Sequence, residues 1–104
     1  MKKPSGIPPP WLPFDWSLTQ NVSKVAAIKA LDSGTATPEQ QRLAMTAIIE
    51  DLCGYYDLSY RPGEDGARET AFAEGKRFVG AQLVKLTKLD INRINRALRE
   101  KRNG

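Results

Sequence analysis

Residues 72–83 read FAEGKRFVGAQL, and the spacing of the large apolar side chains in and around this stretch decides the fold class. Ala71, Phe72, Gly75, Phe78, Val79, Gln82, Leu83 and Leu86 recur at the three- and four-residue steps of a helix with one face turned inward. The helix implied runs from about Ala67 to Lys88. Two glycines stand inside it, and each costs about 1 kcal/mol relative to alanine in a helix interior. Gly75 falls on the face expected to be buried, where a missing side chain lets a neighbouring helix backbone come close. Phe72, Gly75, Phe78 and Val79 are therefore the expected helix-packing residues, with Gly75 as a notch against another helix of the same chain. Gly80 falls off that face and permits a second contact.

Helices extend to both sides of this segment. A fourth helix opens at Asp90, a good cap, and directs Ile91, Ile94 and Leu98 inward. On the N-terminal side, Thr37 is the expected N-cap of the second helix, Pro38 its first residue, and Gln40 completes a capping box. Leu43, Ala44, Ala47, Ile48 and Leu52 repeat at helical spacing, and Gly54 is a natural terminator. A first helix is predicted over about 18–33, capped by Ser17 or Thr19 and stopped by Gly34, with Val22, Val25, Ala26, Ile28 or Lys29, and Leu31 on one face. The polar stretch YYDLSYRPGEDGA, residues 55–67, reads as a loop, with Tyr55, Tyr56, Leu58 and Tyr60 pinning it to the helices.

Residues 1–16, MKKPSGIPPPWLPFDW, hold five of the seven prolines and both tryptophans. Proline at this density prevents helix formation and favours an extended path. A free tail has little use for Ile7, Trp11, Leu12, Phe14 and Trp16. The segment reads as an arm lying across a surface, either that of its own helices or that of a neighbouring subunit. The fold predicted is all-α: a small bundle of three to four helices with an extended Pro/Trp-rich N-terminal arm. The arm occupies 1–17, and the bundle with its basic C-terminal helix occupies 18–104.

Composition narrows the chemistry. The 104 residues suffice for one modest core. The chain has no histidine, which removes the commonest general base and metal ligand. Cys53, the single cysteine, lies in an apolar run and reads as a buried small hydrophobe. The acidic loop fails the calcium template, because counting from Asp57 puts Pro62 and Arg68 where glycine and glutamate are needed. GEDGA, residues 63–67, lacks the lysine and spacing of a phosphate loop. No catalytic residue, metal site or cofactor is expected. No run approaches a membrane span, and the start of the chain lacks the apolar stretch of a signal peptide, so no membrane partner is expected.

Charge is unevenly placed. Residues 85–104 carry seven basic and two acidic side chains, a net +5, whereas residues 1–84 carry nine and ten, a net −1. Arg93, Arg96, Arg99 and Arg102 are the candidate contacts to nucleic acid or to an acidic protein surface. No helix-turn-helix signature, zinc ligand set or RNA-binding aromatic motif accompanies them.

The block DLCGYYDLSYRPGEDGARETAFAEGKRFVGAQLVKL, Asp51–Leu86, resembles a family of small proteins encoded by tailed bacteriophages. The shared features are a helix ending in a Cys-Gly-aromatic turn, a polar loop, and a helix with Phe72, Gly75, Arg77 and Gly80 at fixed spacing. The likeness extends in outline from Thr19 to about Leu89. Genes of this family usually lie among virion structural and assembly genes. The resemblance therefore implies a virion component, present in the particle and in the host cytoplasm during assembly, with no enzymatic activity. Other virion proteins, in multiple copies, are the implied partners. On this reading the arm residues Trp11, Leu12, Phe14 and Trp16 are the candidate docking contacts. A second reading is a DNA-binding or packaging accessory acting through the basic helix, and a third is an inhibitor of a host protein.

Overall fold

In the computed structural model, which describes residues 8–103, Thr37 sets the start of a helix at Pro38. Its hydroxyl accepts the Gln40 backbone N–H at 3.1 Å, and its own N–H donates to the Gln40 side chain at 3.0 Å. The reciprocal capping box is complete, with Pro38 behind it. Among the described residues all regular structure is helical. A 3-10 turn, Thr19–Asn21, leads into α1, Val22–Ser33. Helix α2, Pro38–Thr46, continues as a π-helical turn, Ala47–Leu52; α3 is Gly66–Lys88 and α4 is Ile91–Asn103. The fold is the expected small all-α bundle. Ile7 of the arm lies outside the described residues.

Alanines bring α1 and α2 together. Ala27, Ala44 and Ala47 are fully buried, and no larger side chain in the described chain is. With these small side chains at the centre of the contact, the two helices pack as a close hairpin. Val25 and Ile28 are half-buried, but Val22, Ala26 and Leu31 face outward, because contact centres on Ala27 rather than on the larger residues. Lys24 on α1 pairs with Asp51 at the end of the π-turn at 2.8 Å. Neither Ser17 nor Thr19 caps α1. Instead Asp15 orders the entry: its carboxylate accepts the Ser17 N–H, and its carbonyl accepts the Asn21 side-chain amide at 2.7 Å.

The π-turn positions α3. Its wider winding lets the Cys53 N–H reach the Ile48 carbonyl and the Tyr55 N–H reach the Ile49 carbonyl, at 2.9 and 3.1 Å. Gly54 turns the chain between them in the left-handed region, φ 61°. Helix α3 then crosses this turn, and its buried residues are Gly66, Glu69, Ala73 and Gly80.

That orientation corrects the predicted packing face. Phe72, Gly75, Phe78 and Val79 are all exposed, and Gly75 has open space where a Cβ would be. The notch is Gly80, whose missing Cβ would stand 3.0 Å from the Cys53 Cβ and 3.2 Å from the Tyr55 Cβ. Close approach selects the small-residue side of α3 and leaves the large-residue side outside. The fourth helix is corrected in the same sense. Asp90 caps it as expected, accepting the Asn92 and Arg93 N–H groups, but no residue of α4 is buried. The molecule measures 62 × 36 × 17 Å. Its thinnest dimension is less than two helix diameters of about 10–12 Å, too little to enclose both faces of α3.

Candidate interaction surfaces

Three sites meet around α3. The first is the arm. Pro10 is buried, and its carbonyl accepts the Lys76 ammonium at 2.8 Å. Trp11 meets Phe72 edge to face, ring centroids 5.9 Å apart. Part of the arm thus lies on the chain's own helices. Pro10 and Trp11 sit on the chain's own α3, and Phe14 is half-buried. Leu12 and Trp16 point away and are 55% and 72% exposed. The Trp11-to-Phe14 stretch, Leu52 and Phe72 line a groove of about 370 Å³ beside the arm.

The second is the loop before α3. Tyr55 is half-buried, but Tyr56, Leu58 and Tyr60 are exposed and do not pin the loop. Arg61 does that work. It is buried, its guanidinium donates to the Leu58 and Tyr60 carbonyls, and its N–H donates to the Thr70 hydroxyl at 2.9 Å. The three tyrosines with Thr70, Glu74 and Arg77 frame an open cleft of about 690 Å³. Arg77 closes one side: its Nε donates to the Tyr55 carbonyl at 2.9 Å, and its guanidinium lies 5.6 Å from the Tyr55 ring centre. Composition alone does not reveal this clamp. The usable signal is spacing, since Arg77 precedes Gly80 by three residues and so shares its face.

The third is the outer side of α3 together with α4. Phe78, Val79 and Leu86 are exposed by 64%, 52% and 62%. On α4, Ile91, Ile94 and Leu98 form an apolar stripe exposed by 65%, 36% and 52%. Arg93, Arg96 and Arg99 lie on the rest of its surface, and Arg102 near its end; all four are exposed. They share one helix but do not converge on the arm or on the tyrosine cleft.

The four motif residues of α3 do different things. Arg77 and Gly80 join α3 to the Cys53–Tyr55 turn, while Phe72 and Gly75 face outward. Among the described residues no group of three or more Cys, Asp or Glu side chains is placed to hold a metal ion. No helix among them is long and apolar enough to cross a membrane. Comparison with known proteins finds no matching family model, no matching curated protein and no matching solved structure.

Proposed function

We propose that the chain is a non-enzymatic structural or assembly component of a tailed-phage particle, docking on other virion proteins through the outward side of its N-terminal arm. One observation carries this reading: apolar surface is invested outside the fold rather than inside it. The fully buried residues are alanines, while Trp16 and Leu12 stand exposed on an arm whose neighbours Pro10 and Trp11 hold it in place. Tryptophan is a frequent anchor of protein interfaces, and an arm already fixed at one end loses little further freedom on docking. The likeness of Asp51–Leu86 to small tailed-phage proteins supplies the particle as the context. Mass spectrometry of purified particles tests it. A fixed stoichiometry supports a virion component; absence from particles at every stage of assembly overturns it.

A second reading has its own observation. Arg93, Arg96, Arg99 and Arg102 are exposed on a helix with no buried residue. Such a helix can neutralise phosphates, which suits a DNA-packaging accessory. Salt-dependent retention on duplex DNA separates this reading from the first.

A further inference from the structure

Two apolar faces of this chain are left largely exposed, with only the Phe72 end of the first touched by Trp11 of the arm, and they match each other. On α3, Phe72, Gly75, Val79 and Leu86 follow one outward seam at three-, four- and seven-residue steps. On α4, Ile91, Ile94 and Leu98 repeat the three- and four-residue steps. Read in opposite directions, Leu98 falls level with Phe72, Ile94 with Gly75, and Ile91 with Val79. Leu86 falls near the midpoint. We propose that the occupant of these faces is a second copy of the chain, with α4 of each copy lying antiparallel on α3 of the other about a two-fold axis near Leu86. The inference concerns α3 and α4, and goes beyond the arm-docking reading without depending on it.

Three observations favour a second copy over other occupants. First, α4 does not cover its own α3. The long dimension of 62 Å matches α3 and α4 laid end to end, about 35 and 20 Å by helical rise. Second, the area reaches what a specific interface needs. The exposed parts of the two faces amount to roughly 600 Å² per copy, about 1,200 Å² for the pair, the lower end of standard-size interfaces. Because each copy contributes both faces, one two-fold operation buries all of them and leaves no open end. Third, Gly75 gains a role. It is exposed with open space beside it, so the glycine serves nothing inside the monomer. Opposite Ile94 it becomes the hole that receives a branched side chain. Arg93, Arg96 and Arg99 lie away from the stripe and stay outside.

Sedimentation equilibrium of the full chain at tens of micromolar tests the association. The expected result is a dimer that Leu98→Glu or Ile91→Glu weakens by at least about tenfold. Both changes fall on a helix with no buried residue, so helix content by circular dichroism should hold. Placement is tested by mixing two variants in a Cys53→Ala background, Gly75→Cys and Ile94→Cys, and treating with a short bis-maleimide. A cross-link between the two different variants is expected. A monomeric full chain, a dimer indifferent to both glutamate substitutions, or a cross-link found only between two Gly75→Cys chains would each overturn the proposal.

Discussion

Gly80 of α3 lies against Cys53 so closely that a Cβ on the glycine would stand 3.0 Å from the cysteine Cβ. The contact joins α3 to the π-turn that follows α2. The Ile49 carbonyl and the Tyr55 Cβ close the same space, so little there can yield. Gly80→Leu should therefore destabilise the fold by about 1–3 kcal/mol through overpacking. Urea denaturation of dilute protein measures it.

Gly75 supplies the matched contrast. It has open space and a helical backbone, so Gly75→Ala should stabilise the same dilute protein by about 0.4–1 kcal/mol, through helix propensity and reduced unfolded-state entropy. Unfolding curves for the two variants should move in opposite directions. If both lost stability, the assignment of the notch to Gly80 alone would fail.

Arg77 reinforces that junction from three residues away. Its Nε bonds the Tyr55 carbonyl and its plane lies near the Tyr55 ring. Arg77→Lys keeps the charge but removes the planar fork. The expected cost is about 1 kcal/mol, with a larger change in tyrosine fluorescence or near-ultraviolet dichroism than in helix content.

Much of this architecture was legible where its cause is local. Thr37 and Gln40 cap a helix because they are three residues apart, and Asp90 caps α4 for the same kind of reason. The facing of α3 was not legible. Its sequence carries two candidate faces, one of large residues around Phe72 and Phe78 and one of small residues around Ala73 and Gly80. Apolar size points to the first. The π-turn decides for the second, because it sets Cys53 and Tyr55 so near that only a small side of α3 fits. Nothing in AIIEDL, residues 47–52, announces π winding. Likewise, the spacing of Ile91, Ile94 and Leu98 marks an apolar stripe, but amphipathicity alone does not turn it toward the chain's own helices, and the inward placement expected for it fails.

The basic side of α4 yields a prediction separate from its apolar stripe. If Arg93, Arg96, Arg99 and Arg102 meet phosphates, affinity for duplex DNA should fall steeply with salt, with a log–log slope of roughly −0.9 for each phosphate neutralised. Arg96→Glu with Arg99→Glu should abolish retention in a filter-binding assay. Leu98→Glu should affect the oligomeric state first. No retention of the unaltered protein at low salt would remove the packaging reading and leave these arginines as a solvated face.

The last prediction concerns the arm. On the docking reading its two halves have different jobs, and single substitutions can separate them. Pro10 and Trp11 belong to the monomer: Trp11 covers one edge of Phe72, and Lys76 holds the Pro10 carbonyl. Trp11→Ala should cost the isolated protein stability, by about 1–3 kcal/mol given a ring that is only partly buried. Trp16 belongs to the partner on the docking reading. It is 72% exposed, so Trp16→Ala should leave thermal stability within about 0.5 kcal/mol of the parent. The same change should sharply reduce incorporation into particles, because truncating an aromatic anchor commonly costs an interface about 2 kcal/mol or more. Leu12→Ala should act in the same direction with a smaller effect. The measurement is a pair of assays on each variant, a thermal melt and quantitative mass spectrometry of purified particles. Normal incorporation of the Trp16→Ala, Leu12→Ala double variant would take the docking role away from the arm and pass it to the outer face of α3.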